Sequence, residues 1–183
     1  RLLGVLAGTM RQFDRLIGTL GEAVRLQTGQ FKLAWQPHDL RQVVQRVVDD
    51  LEPSLQRHTL HLMLPDEPMM IKGDMARLER IIVNLLENAI KYSPHGGPIL
   101  VRLEREDDQA VLTVTDHGIG IAADEQARIF ERFYRARNAT TSTISGLGIG
   151  LYLVHEIVRQ HGGNVTVCSR EGRGSTFRVY LPC

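Results

Sequence analysis

The stretch NLLENAIKYSP, Asn84 to Pro94, follows the apolar run Ile81, Ile82, Val83, and its reading decides the fold. At helical spacing Asn84, Asn88 and Lys91 fall on one stripe, while Leu78, Ile82, Leu85, Leu86 and Ala89 cover the rest. Such a helix belongs in a core, where an amide or ammonium without a partner costs a few kcal/mol. Either the stripe is the solvent side of the helix, or something polar faces it. Solvent faces are normally filled with Glu, Lys and Arg, and two short amides one turn apart are poor helix formers. They suit an oxygen-lined site for a hard cation.

Working outward, Asp74 is a good N-cap for this helix, and the cluster Ser93, Pro94, Gly96, Gly97 stops it. Upstream, an amphipathic helix is expected from about Leu40 to Arg57, and TLHLML, residues 59–64, alternates as a strand. Downstream, ILVRLERE (99–106) and AVLTVTD (110–116) read as a hairpin joined near Asp107 and Asp108. Arg137 to Ser145 is small and polar without periodicity and reads as a mobile loop. A helix from about Gly148 to His161 should end at Gly162 and Gly163, and the strands NVTVCS (164–169) and STFRVYL (175–181) flank the turn REGRG. Helices in front, then helices mixed with hairpin-connected strands, give an α+β layer rather than regular βαβ alternation.

The first 28 residues differ from the rest. Leu3, Leu6, Met10, Phe13, Ile17, Leu20 and Val24 follow at steps of three and four, the seam of a long bundle-forming helix. Gly4, Gly8, Gly18 and Gly21 each cost that helix about 1 kcal/mol relative to alanine, so it should lean on partners, and a dimer bundle is expected. A linker is expected from Thr28 to Pro37.

The 183 residues carry 22 basic and 21 acidic side chains, well interspersed, for a formal net charge of +1. That leaves no basic footprint, so nucleic acid is not expected as a partner. Cys168 and Cys183 form neither a disulfide framework nor a metal cluster, and they fit a reducing, cytoplasmic compartment. No run approaches the about eighteen apolar residues of a membrane span. Arg1 opens inside a helical pattern without an initiator methionine, so a longer parent is expected, and a membrane anchor in it stays open.

Two glycine motifs carry further chemistry. In DHGIG, Asp116 follows a strand and can accept from an exocyclic amino group, while Gly118 and Gly120 permit close backbone approach or a sharp turn. GIGIAA imitates a dinucleotide fingerprint, but the acid precedes the glycines and no βαβ unit follows, so the Rossmann reading fails. SGLGIGL, residues 145–151, sets Gly146, Gly148 and Gly150 at the mouth of a helix, an anion site suited to phosphates. No GKS or GKT follows, so it is not a Walker loop. Taken singly it also reads as a flexible hinge.

In this order NLLENAIKYSP, DHGIG, IFERFYR (129–135) and GLGIGL resemble the N, G1, F and G2 boxes of the sensor histidine kinase catalytic domain, the GHKL or Bergerat ATP-binding fold, with GRGSTF (172–177) as its closing glycine motif. The match covers roughly Leu40 to Pro182. The resemblance implies a two-layer sandwich, a mixed, mostly antiparallel sheet covered on one face by helices, over residues 37–183. Residues 1–36 would be the second helix of a dimerisation and phosphoacceptor hairpin, with its linker.

It also implies ATP and Mg²⁺ as cofactors. Asn88 would be the metal ligand, with Asn84 beside it; Lys91 would reach the phosphates and Tyr92 would border them. Asp116 would accept from the adenine amino group, and Ser175 would support that end of the base. Gly118, Gly120, Gly146, Leu147, Gly148, Gly150 and Leu151 complete the nucleotide-binding set, with Leu147 standing where the family often has threonine. Arg135 matches a lid arginine that faces the γ-phosphate over a lid of residues 136 to 147, and Phe130 and Phe133 are expected as lid-anchoring core. Relatives that hydrolyse ATP carry glutamate at the Asn84 position, and an amide cannot take a proton from water. Asn84, Lys91 and Arg135 are therefore expected to serve phosphoryl transfer to a protein histidine. None of the seven histidines has the acceptor context: HEIVRQ, from His155, imitates its opening, but no Thr-Pro follows, and it reads as a solvated helix face. The expected partners are the acceptor hairpin of the parent, a response regulator receiver domain and a second copy in a homodimer. The alternatives are an ATP-binding sensing or scaffolding module without catalysis, or a GHKL-type ATPase or serine kinase.

Overall fold

In the computed structural model of the chain, Gly18, Gly21, residues 33–141 and residues 146–183 are described. The long helix expected over the first 28 residues lies, apart from the helical Gly18 and Gly21, outside the described residues. The elements are β1 (Gln36–Asp39), α1 (Leu40–Leu51), β2 (His58–Met63), β3 (Met70–Gly73), α2 (Met75–Lys91), β4 (Gly97–Glu106), β5 (Gln109–Thr115), α3 (Arg137–Thr141), α4 (Gly150–Gln160), β6 (Asn164–Arg170) and β7 (Gly174–Pro182).

Five strands form one sheet in the order β2-β4-β5-β7-β6, with β2 parallel to β4 and the other pairs antiparallel. Every second residue of β4, β5 and β7 is buried on one face, among them Ile99, Val101, Leu112, Val114, Phe177 and Val179. Onto that face α1, α2 and α4 bring their apolar stripes, such as Val43 and Val44, Leu85 and Leu86, and Leu153 and Ile157. Each such side chain stabilises the fold by about 1.5–3 kcal/mol relative to exposure, which is why the helices stay in one layer. The expected Bergerat-type sandwich is thus the observed architecture.

Local chemistry sets the ends of the elements. Asp74 caps α2, its Oδ1 accepting from Arg77 N at 3.3 Å, and Asp39 caps α1 in the same way from Arg41 N at 3.1 Å. The β4–β5 turn runs through Asp107 in the left-handed region, φ 52°.

Several expectations need correction. The first helix stops at Leu51, six residues before Arg57, because Pro53 permits only a 3₁₀ turn over Glu52–Ser54. Residues 137–141, expected in a loop, form the short α3, and residues 142–145 lie outside the described residues. The last helix begins at Gly150 rather than Gly148, which takes φ 69°. A small antiparallel sheet of β1 and β3 was not expected; Pro37, read as linker punctuation, sits inside it, paired with Lys72. Four-residue strands carry too little alternation to be legible.

Candidate functional site

Asn84 is only 6% exposed, and its Nδ2 has no hydrogen-bond partner among the described residues. Facing it is Gly150, the first residue of α4, where a Cβ would stand 3.6 Å from Asn84 Oδ1. α4 has no side-chain cap, so its first N–H groups open toward the same space. A buried orphan amide beside an uncapped helix N-terminus is costly unless an anion completes both.

The space is a cavity lined by Arg80, Asn84, Glu87, Asn88, Lys91, Tyr92 and the run Leu147–Leu151, with Ile129 and Tyr134. A second cavity opens into it, sharing Asn88, Tyr92, Ile129, Tyr134 and Leu151, and adds Asp116, Gly120, Arg135, Asn138, Ser175 and Phe177 among others. One is rich in cations and amides; the other is largely apolar around one acid. The pair suits a ligand with a flat apolar end and an anionic tail.

At the apolar end, Asp116 lies just past β5. Its amide donates to Ser175 O at 2.9 Å, and its Oδ1 accepts from Gly118 N at 2.8 Å. Burial pushes its carboxyl above the usual aspartate value, against the pull of the Gly118 and Ser175 backbone N–H groups and the charge of His117. Ser169 gives its one hydroxyl hydrogen to Gly174 O at 2.8 Å, so in the 2.9 Å pair between Ser169 Oγ and Ser175 Oγ the donor is Ser175. Ser175 Oγ therefore keeps acceptor capacity. Two acceptors at one end match an exocyclic amino group.

The turn carrying Asp116 is docked on the end of α2. Ile119 N donates to Tyr92 O at 2.9 Å, and a Cβ on Gly118 would lie 2.1 Å from that same oxygen. The close approach Gly118 permits is thus to Tyr92, and Gly118 lines neither cavity. Gly120, at φ 65°, clears Arg170 O and does line the apolar cavity. Lys91 Nζ donates to Tyr92 Oη at 3.2 Å. Gly146 lines neither cavity, but a Cβ there would come 2.4 Å from Lys91 Nζ.

Arg135 lines the cavity of Asp116, not that of Lys91, and its Nη2 donates to Ala139 O at 2.8 Å. Phe130 packs on the core, but Phe133 is 51% exposed at φ 65°, its N–H held by Gly148 O at 2.9 Å, which corrects its expected place in the core. His155 is half-exposed on α4, 3.4 Å from Glu156 and with its ring 5.8 Å from that of Phe130, so this face is only partly solvated.

Sequence reasoning missed several lining residues. Tyr134 Oη donates to the buried Glu125 Oε1 at 2.8 Å, and Arg137 N donates to the same oxygen at 3.0 Å, tying the wall at 134–137 to the 3₁₀ turn of Ala123–Glu125. Asn138 Nδ2 donates to Gly120 O at 2.9 Å, closing that wall on the glycine turn. No pattern announced these, since their partners are far apart in sequence. Arg80 was legible, standing one turn before Asn84 on the same stripe.

Comparison with known proteins bears on this site. The family described as histidine kinase-, DNA gyrase B- and HSP90-like ATPases matches residues 73–183. The alginate biosynthesis sensor protein KinB of Pseudomonas aeruginosa is 37% identical over 175 residues, covering 94% of this chain and 29% of KinB. The structure of the mycobacterial sensor histidine kinase MprB aligns with TM-score 0.71 at 31% identity, over 81% of this chain and 97% of that one. Full-length ShkA in complex with AMPPNP aligns with TM-score 0.82 at 26% identity, over 99% of this chain and 38% of ShkA. The chain spans less than a third of the length of the curated relatives it matches first, 23%, 30% and 24% of them.

Proposed function

The chain belongs to the histidine kinase-, DNA gyrase B- and HSP90-like ATPase family, as a catalytic domain of the sensor histidine kinase type, and from that premise we propose that it binds Mg·ATP across the two joined cavities and passes the γ-phosphate to a histidine on the dimerisation hairpin of a two-component sensor. The observation that carries this reading is the buried, unpartnered amide of Asn84 facing the open N-terminus of α4. The ShkA relative was solved with the ATP analogue AMPPNP.

Adenine would lie against Asp116 and Ser175, its amino group donating to both. Guanine presents a carbonyl there, which two acceptors repel. The phosphates would run past Tyr92 and Asn88 toward Asn84, between Lys91 and the glycine-rich mouth of α4. Oxygen donors suit Mg²⁺, and Asn88 would hold it through its side-chain oxygen, with Asn84 Nδ2 free to donate to a phosphate oxygen. Bound there, Mg²⁺ would neutralise phosphate charge. Arg135 would reach the γ-phosphate only on leaving Ala139 O, a step that nucleotide binding can drive by charge-assisted hydrogen bonding.

We assign residues 37–183 to this domain and residues 1–36 to the hairpin remnant and linker. The partners follow from the same reading: the acceptor hairpin of the parent homodimer and a response regulator receiver domain. Among the described residues no helix is long and apolar enough to cross a membrane, and free Cys168 and Cys183 suit a cytoplasmic domain. A second reading, a nucleotide-sensing module without catalysis, is favoured by Leu147, 41% exposed in the phosphate cavity with no hydroxyl to offer.

Incubation with labelled Mg·ATP, with and without the parent hairpin, separates the two. Acid-labile phosphohistidine on the hairpin is expected. ATP binding without transfer would favour the sensing module, and label on His155 would overturn the assignment of the acceptor.

A further inference from the structure

Ser169 lines neither cavity, yet its hydroxyl has three partners behind the base-binding end. It stands directly opposite Ser175 across the β6–β7 pair. Its Oγ accepts from Ile121 N at 2.9 Å, donates to Gly174 O at 2.8 Å and lies 2.9 Å from Ser175 Oγ. A hydroxyl has one hydrogen and two lone pairs, so these three contacts use all of it. The amide can only donate and the carbonyl can only accept, which leaves Ser169 as the acceptor from Ser175. The surroundings hold that arrangement in place. Gln126 Nε2 donates to Ser169 O at 2.8 Å and to Ile121 O at 3.2 Å, fastening β6 to the turn after Asp116. Gly174, at φ 92°, lies so close to Asp116 O that a Cβ there would overlap it, so the carbonyl that takes the Ser169 hydrogen belongs to backbone packed on Asp116 itself. Ser175, 7% exposed, is left with lone pairs and no hydrogen for the cavity it shares with Asp116.

Resting on the ATP-binding reading above, we propose that Ser169 sets the base selectivity of this site: a positioning residue that, by taking the Ser175 hydrogen, makes the cavity admit a 6-aminopurine and refuse a 6-oxopurine without touching either. A serine free to rotate donates to a purine carbonyl as readily as it accepts from an amino group, so Ser175 by itself discriminates nothing. With its hydrogen committed to Ser169, an incoming amino group finds acceptors on both Ser175 and Asp116. A carbonyl in the same place meets only other acceptors and stays buried without a partner, which is a costly mismatch in a largely apolar cavity. The tie to Ile121, which lines that cavity, keeps the turn carrying Asp116 in register with Ser175, so both acceptors are aimed at one point.

The test is binding of ATP and of ITP, whose base carries a carbonyl in place of the adenine amino group, to the whole chain with Mg²⁺ present, for the wild type, Ser169→Ala and Ser169→Thr. The wild type should prefer ATP. Ser169→Ala frees the Ser175 hydrogen, so ITP should bind about three- to tenfold more tightly while ATP binds more weakly by about the same factor. Damaged packing weakens both nucleotides, so the gain for ITP is a readout that a merely structural role would not move. Ser169→Thr keeps the hydroxyl and should keep the wild-type selectivity. If Ser169→Ala does not fold, Ser169→Cys carries the same prediction, since a thiol is a weak acceptor for the Ser175 hydrogen. Equal losses for both nucleotides, or an unchanged ratio between them, would overturn the proposal, as would a wild type that binds ATP and ITP alike. A wild-type chain that bound neither nucleotide would instead sink the ATP-binding reading, and this one with it.

Discussion

The backbone amide of Asp74 donates to Nε2 of His161 at 3.1 Å, joining the N-cap of α2 to the C-terminal end of α4. His161 Nδ1 lies 2.8 Å from Ile157 O, which can only accept, so the ring is neutral with its proton on Nδ1. The incoming chain is fastened at the same point: Ala34 N donates to Asp74 Oδ2 at 2.9 Å, and the Trp35 ring lies 5.2 Å from that of His161. One aspartate therefore caps the nucleotide-binding helix, holds the strap from residues 33–35 and meets the histidine.

That junction predicts a pH dependence. Burial pushes the His161 pKa below its ordinary value of 6.5, with the Ile157 hydrogen bond and the Asp74 charge opposing it. Above 6.5 the ring is neutral in both folded and unfolded chains, and its contribution is complete. As pH falls below 6.5 the unfolded chain takes up a proton that the fold refuses, so stability declines by up to about 1.4 kcal/mol per pH unit from this group. Urea unfolding at pH 7.5 and 5.5 should show the decline in the wild type and a smaller one in His161→Phe. The variant should itself be less stable at pH 7.5 by about 1–3 kcal/mol, for the lost acceptor of the Asp74 amide.

Asn84→Glu places a carboxylate where the amide now lies unpartnered, beside Gly150. A carboxylate can take a proton from water, so steady-state phosphate release from Mg·ATP should rise, by about tenfold or more. An unchanged rate in a variant that still binds ATP would remove the reason given for kinase over hydrolase chemistry.

Asp116→Ala should lower ATP affinity about ten- to a hundredfold and narrow the gap to GTP, read by competition binding. The wild type should also lose ATP affinity on acidification at a higher pH than an ordinary aspartate would dictate, because burial raises this carboxyl above 3.8 and only its ionised form is an acceptor at both oxygens. The stability effect has the opposite sign. The raised pKa gives a contribution complete below 3.8 that is lost as pH rises through the folded value, so the empty site is destabilised at neutral pH, where the ligand is accepted.

Gly118→Ala is expected to be severe although the residue lines neither cavity. The new Cβ would fall 2.1 Å from Tyr92 O, a backbone atom that cannot swing aside. Thermal melting should reveal a loss of about 3 kcal/mol or more, and nucleotide binding should fall with it as Asp116 loses its docking on α2.

The helix from Asp74, its amide stripe, the Asp116 turn, the β4–β5 hairpin and the glycine mouth of α4 were all legible in the chain, since each is a local pattern. Helical period, a capping acid and glycines at a turn constrain only their near neighbours; together they pointed to an α+β layer, and the two-layer sandwich followed from the resemblance of the ordered motifs to a known family. Arg80 was equally visible as the next step of the stripe.

Other features depend on residues distant in sequence. That Ser175 is an acceptor follows from the bond Ser169 makes to Gly174; that Arg135 is held away from the phosphate cavity follows from Ala139. Phe133, apolar and expected inside, is turned outward by Gly148. Glu125 becomes a buried anchor only because Tyr134 and the Arg137 amide arrive to meet it. The sequence by itself determined which backbone segments form and which faces they bury, because periodicity and φ preference act within a few residues. Which side chains face one another across the two cavities was decided by tertiary packing alone, because hydrogen-bond partners are chosen by proximity in space.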